Sequence, residues 1–142
     1  MLKHVKTKYE EYYEDENGNI HGEYKAYHDN GQLQQICNYV DDKRHGEYKS
    51  YHDNGQLLVI CNYVNGRFHG EYKAYHGNGK LRVICNYVDG EIQGEYKCYH
   101  DNGELIVQVF YIMSKLVDLS IHGMDIDKLS QDDINLLTVI YA

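Results

Sequence analysis

Nine histidines, four cysteines and a set of evenly spaced glutamates are the side chains in this sequence able to hold a metal ion or carry a proton. His28, His52, His76 and His100 recur every 24 residues, and His21, His45 and His69 keep the same interval. Cys37, Cys61 and Cys85 follow it, as do Glu23, Glu47, Glu71 and Glu95, each standing before Tyr-Lys. A metal needs several ligands converging at bonding distance. Copies one unit apart in a sheet of hairpins are two strands, or about 10 Å, apart, and the two histidine columns fall at opposite strand ends, roughly 23 Å from each other. No Cys-x-x-Cys or Cys-x-His pair supplies ligands locally. The spacing therefore predicts solvated turn histidines and no metal, with a pH response of an assembly as the functional alternative.

The same distances govern the other chemistry. A disulfide needs Cα atoms within about 7 Å, which the cysteine column does not offer; Cys98 shares a face with Cys85 but lies about four residues along the strand. All four cysteines are expected to be reduced and packed as small hydrophobes. A glutamate repeated in every unit is a structural device sooner than a catalyst, here pairing with lysine on a neighbouring strand. No phosphate loop, nucleophile elbow or zinc-protease motif occurs. The sequence predicts no enzyme and no cofactor.

The elements that position these residues are read from the unit HGEYKSYHDNGQLLVICNYVNGRF, His45 to Phe68. Its first glycine recurs at Gly22, Gly46, Gly70 and Gly94 and its turn glycine at Gly31, Gly55, Gly79 and Gly103. Units of this length cannot bury a core alone and stack on their neighbours. Glu47 to His52 reads as a strand and Leu57 to Val64 as its return, joined by a type I′ turn at Asn54-Gly55. A second turn, Asn65-Gly66 here and Asp89-Gly90 later, hands the chain on. Facing Asp53 with Gln56 sorts the side chains. One face carries Tyr48, Ser50, His52, Leu57, Val59, Cys61 and Tyr63; the second carries Glu47, Lys49, Tyr51, Leu58, Ile60, Asn62 and Val64. The first is the more apolar and is expected to be the covered side. Tyr27, Tyr51, Tyr75 and Tyr99 make a ladder on the second.

Residues 1–21 read as an N-terminal capping strand and loop, with Val5 to Tyr13 as one strand whose lysines and glutamates discourage edge pairing. Residues 22–115 hold four units, the last decaying where Ile-Cys-Asn becomes Gln108-Val109-Phe110. Residues 116–142 supply a final strand, Leu116 to His122, and a short C-terminal helix. Ser130 is its N-cap with Asp133 as box partner, Leu129 and Ile134 form a staple, and Ile134, Leu137 and Tyr141 form its stripe. The helix is expected to cap the sheet, with partner binding as its alternative role.

Sixteen tyrosines against two phenylalanines suit strand positions where a ring packs and a hydroxyl stays wet. A formal charge of −8 repels phosphate backbones and anionic headgroups, so nucleic acid is not expected and membrane binding is disfavoured. With neither an apolar span nor a leader pattern, the expected location is the cytoplasm.

The pattern HGEYKxYHxNGxLxxICNYVxG, over roughly residues 9 to 122, resembles the MORN-repeat variant family, in the wording found in proteins of giant DNA viruses of amoebae and in bacterial antitoxin-like repeat proteins. That resemblance implies an all-β, elongated, single-layer antiparallel sheet of repeated hairpins that mediates protein contacts or dimerisation, with no catalytic residues to carry over. The expected partner is a second copy or another protein, held by tyrosines 24, 48, 72 and 96 together with 27, 51, 75 and 99. An antitoxin-like grip on a basic protein is the alternative, and a lipid-associated scaffold a weaker one, because Lys25, Lys49, Lys73 and Lys97 each follow a glutamate by two residues.

Overall fold

The computed structural model describes residues 1–112 and 114–121, and these form one open sheet of antiparallel strands. The tail with the expected helix at Ser130 to Tyr141 lies outside the described residues. The N-terminal hairpin is β1 (Lys3–Lys6) and β2 (Glu10–Glu14). The first unit is β3 (Ile20–Tyr27) and β4 (Leu33–Val40). Later units open with a two-residue strand: β5 (Lys43–Arg44), β6 (Gly46–Tyr51) and β7 (Leu57–Val64); β8 (Arg67–Phe68), β9 (Gly70–Tyr75) and β10 (Leu81–Val88); β11 (Glu91–Ile92), β12 (Gly94–Tyr99) and β13 (Leu105–Ile112). β14 (Lys115–Ile121) is the expected final strand, shifted by one residue. The long strands lie side by side in chain order.

The deep register of each hairpin is the expected one, with Ser50 opposite Val59, Lys49 opposite Ile60 and Tyr48 opposite Cys61. The turns exchange roles. At Asn54-Gly55 only the glycine is left-handed, at φ 85°, and the Gly55 N–H reaches His52 O at 2.9 Å while the His52 N–H reaches Gln56 O at 2.8 Å. Asn54 uses its side chain instead, Oδ1 accepting from the Gln56 N–H at 3.0 Å, an Asx turn that removes the need for a second left-handed residue. The longer loop is absorbed as a bulge between Ser50 and Tyr51, which sets Leu57 opposite Tyr51 on the second face and turns Leu58 to the first, the reverse of the expected assignment. The type I′ turns are those between hairpins: Asn65 and Gly66 have φ 49° and 79°, Asp89 and Gly90 51° and 86°, and Asp41 and Asp42 48° and 60°.

The other recurrent glycine marks a second irregularity. Between Arg44 opposite Tyr39 and Lys49 opposite Ile36, residues 45–48 lie against only residues 37 and 38. Gly46 absorbs this bulge at φ 85°, and Gly70 and Gly94 repeat it at 86° and 84°.

The N-terminus differs from the single strand expected over Val5 to Tyr13. Thr7 Oγ1 accepts from the Tyr9 and Glu10 N–H groups at 3.1 and 3.0 Å, and this local turn folds the segment into the β1–β2 hairpin. The following loop is organised by Asp15, whose Oδ1 accepts from the Asn17 and Asn19 N–H groups at 2.8 and 2.9 Å.

The first face is the buried one. Ser50, Cys61, Ala74, Val83, Cys85, Tyr96, Cys98, Val107, Val109 and Tyr111 are all buried on it, whereas Tyr51 and Ile60 on the second face stay half-exposed. A column that pattern reading passed over fills the gaps: Ile20, Arg44, Phe68 and Ile92, one per unit. The Phe68 ring sits 4.7 Å from Tyr63, 5.7 Å from Tyr72 and 4.9 Å from Tyr87, bridging consecutive hairpins. Arg44 lies over Tyr48 and Tyr63 at 5.1 and 5.6 Å.

Candidate functional site

Each expected site residue now has a place. The histidines at the strand ends do not converge; His45, His69 and His100 are exposed as expected, whereas His28, His52 and His76 are half-buried and hydrogen-bonded. His28 Nε2 donates to Tyr51 O at 2.9 Å, His52 to Tyr75 O at 3.0 Å and His76 to Tyr99 O at 2.8 Å, so each ties its turn to the next hairpin. Asn30, Asn54 and Asn78 run alongside, their Nδ2 groups donating to the carbonyls of Asp53, Gly77 and Asp101 at 2.9, 2.9 and 2.8 Å. A third line of bonds joins the opposite strand ends, where the Gly66, Gly90 and Ser114 N–H groups each reach the main-chain oxygen of Arg44, Phe68 and Ile92 at 2.8 Å. Among the described residues no group of three histidines, cysteines or carboxylates is placed to hold a metal.

The glutamates pair along their own strand rather than across the sheet. Glu47 meets Lys49 at 2.8 Å, Glu71 meets Lys73 at 2.7 Å and Glu95 meets Lys97 at 3.0 Å, with Glu23 and Lys25 in the same arrangement. Residues two apart share a face of the strand. Each of these four lysines is drawn above its usual titration range first by the hydrogen bond to its glutamate.

The four cysteines are free thiols, all buried. Burial pushes the Cys61 and Cys85 thiols up to about 12, so neither is a nucleophile at neutral pH.

The two tyrosine series part company. Tyr24 and Tyr96 belong to the core, and Tyr48 and Tyr72 are half-buried there with their rings edge-on to Tyr63 and Tyr87. The Tyr24 hydroxyl donates to Glu10 Oε1 at 2.7 Å and the Tyr48 hydroxyl to Gln35 Oε1 at 3.0 Å. Both series were expected to meet a partner, but this first one is occupied in packing. Tyr27, Tyr51, Tyr75 and Tyr99 are half-buried on the second face.

There Tyr99 walls a groove of about 350 Å³ with Lys97, Glu71, Glu95, Asn86, Leu81 and Ile84. A groove of about 320 Å³ lies between the first two units, lined by Tyr51, Lys49, Glu23, Glu47, Asn38, Leu33 and Ile36. These are the same positions 48 residues earlier, so the repeat reproduces a surface as well as a backbone.

The model of the MORN repeat variant matches residues 20–41, 44–65, 68–89 and 92–113, one match per hairpin unit. The chain belongs to the MORN repeat variant family. Each matched MORN segment opens on the core-filling position, Ile20, Arg44, Phe68 or Ile92, and the first three close on the first residue of a between-hairpin turn, Asp41, Asn65 or Asp89. No curated protein matches this MORN chain. Among solved structures, a chain of the crystal structure of the GtfA/B complex bound to UDP and GlcNAc is similar at 13% identity and a TM-score of 0.25. That similarity covers 74% of the MORN chain and 23% of the other, so the MORN chain spans less than a quarter of that protein's length.

Proposed function

We propose that the array is a non-catalytic scaffold that binds protein on its second face, through the half-buried tyrosines 27, 51, 75 and 99. The observation that carries this is the recurrence of one groove, with an apolar floor, a tyrosine wall and a Glu-Lys rim, at an offset of two units. Four exposed apolar side chains, Val40, Val64, Phe110 and Ile112, stand on the same face by strand parity. The charge of −8 favours a basic partner, as in the antitoxin-like reading. The lipid reading is weakened because the four lysines repeated on this face are each held by a glutamate.

The test is a Tyr51→Ser, Tyr75→Ser double variant with unchanged β circular dichroism. Light scattering on a sizing column comes first: a dimer that the variant returns to monomer assigns the face to self-association. If the wild type is a monomer, immobilised wild type and variant serve as baits in cell extract. Proteins retained by the wild type and lost with the variant support the reading. Identical captures overturn it.

A further inference from the structure

Six Asn-Gly dipeptides begin at residues 17, 30, 54, 65, 78 and 102. Asparagine before glycine is the arrangement most open to spontaneous deamidation, because glycine offers no side chain to obstruct ring closure, and asparagine is among the thermolabile residues for this reason. The glycine nitrogen attacks the asparagine Cγ, the bond from Cγ to the amide nitrogen breaks and ammonia leaves with the proton from the ring nitrogen. Water then opens the five-membered imide at either carbonyl. One opening gives aspartate; the other gives isoaspartate, whose main chain runs through the former side chain. Nothing is oxidised or reduced.

The fold sorts these six dipeptides into two groups. Asn30, Asn54 and Asn78 are held at both ends of the side-chain amide: Oδ1 accepts from the N–H two residues on, at 2.9 to 3.0 Å, and Nδ2 donates to the next turn's carbonyl at 2.8 to 2.9 Å. Asn102 is held by Glu104, through the Glu104 N–H at 2.9 Å and Oε2 at 3.0 Å. Asn17 and Asn65 are exposed, and among the described residues neither side-chain amide has a hydrogen-bond partner; Asn17 is engaged only through its main-chain N–H.

We infer that Asn17 and Asn65 are the deamidation sites of the folded protein, and that the clamp on the other four protects turns the sequence alone marks as equally labile. At Asn65 the two products differ in consequence. The corresponding turn positions are aspartates, Asp41 and Asp89, at φ 48° and 51° against 49° for Asn65. Aspartate therefore fits the turn. Isoaspartate lengthens the main chain by one carbon at the residue before Gly66, whose N–H must reach Arg44 O in the preceding hairpin. The isoaspartyl form thus loosens the joint between hairpins and the aspartyl form leaves it intact.

The experiment is peptide mapping by mass spectrometry after incubating the full chain in warm, mildly alkaline buffer, folded and in urea, with isoaspartate read by methyltransferase labelling. All six sites should convert at similar rates in urea. In the folded chain the glycine nitrogen of all six is held by a main-chain hydrogen bond, so every site slows, but Asn17 and Asn65 should convert roughly tenfold or more faster than Asn30, Asn54, Asn78 and Asn102, as two further hydrogen bonds per clamped amide imply. Equal rates at clamped and free sites in the folded chain would overturn the assignment, as would conversion confined to clamped ones. Asn65→Asp should melt with fresh wild type; if it melts with the aged protein instead, the damage does not reside in isoaspartate.

Discussion

His52 Nε2 stands 3.0 Å from the main-chain oxygen of Tyr75, one full hairpin further along the chain. The ring must carry its proton on Nε2 to make this bond, and protonation of Nδ1 leaves the donor in place. Loss of one such bond costs about 1 kcal/mol. His52→Ala should lower unfolding stability by that amount in urea. His100→Ala is the control: His100 is exposed, no following hairpin among the described residues accepts from it, and its replacement should fall within about 0.5 kcal/mol of wild type.

Replacing Gly46 by alanine isolates a backbone effect. A Cβ there meets nothing within 4 Å, so the cost is that of a left-handed alanine, about 1 to 2 kcal/mol. At Gly79 the added Cβ would also lie 2.6 Å from Gln56 Oε1, and that side chain must move. Gly79→Ala should therefore be the more destabilising of the two in parallel urea titrations. The reverse order would show that the bulge at Gly46, and not the turn, is the tighter fit.

Phe68 and Arg44 occupy one position of the repeat with opposite consequences. Phe68→Ala opens a hole among Tyr63, Tyr72 and Tyr87 and should cost about 2 kcal/mol, less than a fully buried ring because Phe68 is half-exposed. Arg44 keeps a buried Nε without a hydrogen-bond partner and has no carboxylate partner among the described residues; its guanidinium turns instead to the hydroxyls of Tyr39 and Tyr63, Nη1 reaching the latter at 3.4 Å. Arg44→Ile installs the residue used at positions 20 and 92 and should be neutral or raise the thermal midpoint. A clear loss would mean that the stacking on Tyr48 and Tyr63 outweighs the unpaired N–H.

The buried thiols set an alkaline limit. Cys61 and Cys85 rise from an ordinary 9.0 to about 12, chiefly through burial. A group with a raised folded-state value stabilises fully below its unfolded value and loses that contribution as pH climbs towards the folded one. Stability should thus fall between about pH 9 and pH 12. The Cys61→Ala, Cys85→Ala variant should show a shallower decline. At neutral pH a thiol reagent should label wild type only as fast as the chain unfolds.

The acid side is governed by Asp15. Hydrogen bonds, first that from the Asn19 side chain, hold its carboxyl far below the usual range. A depressed folded-state value stabilises above the unfolded one and is lost as pH falls. The loop of residues 15–19 should therefore loosen only in strong acid, seen as late loss of the Asn17 and Asn19 amide signals. Asp15→Asn should loosen it already at neutral pH.

Much of this was legible because a period of two within a period of 24 fixes the strands, the covered face and the deep register at once, though not the faces of Leu57 and Leu58 beyond the bulge. The covered face, the buried cysteines and the deep pairing of Tyr48 with Cys61 all follow from it. What escaped is what lies between units. Asn54-Gly55 has the composition of a type I′ turn, but its side chain had a better use as an Asx turn and a clamp on Gly77. The His52 bond to Tyr75 spans 23 residues and leaves no local pattern. The column of Ile20, Arg44, Phe68 and Ile92 varies from unit to unit, so a reading built on identity passed over the position that fills the core. Its signal was a bulky side chain recurring two residues before Gly22, Gly46, Gly70 and Gly94.

The bonds that cross between units, the histidine, asparagine and between-hairpin turn lines, join nearest neighbours only. Such an array behaves as a one-dimensional chain of coupled switches, with a free energy that sums unit and joint contributions and no global keystone. Denaturation then advances as a front from the ends instead of striking everywhere together. Amide exchange should accordingly be slowest in β6 to β10 and quicken outward in both directions. Cutting a single joint in the middle would turn one cooperative body into two shorter ones.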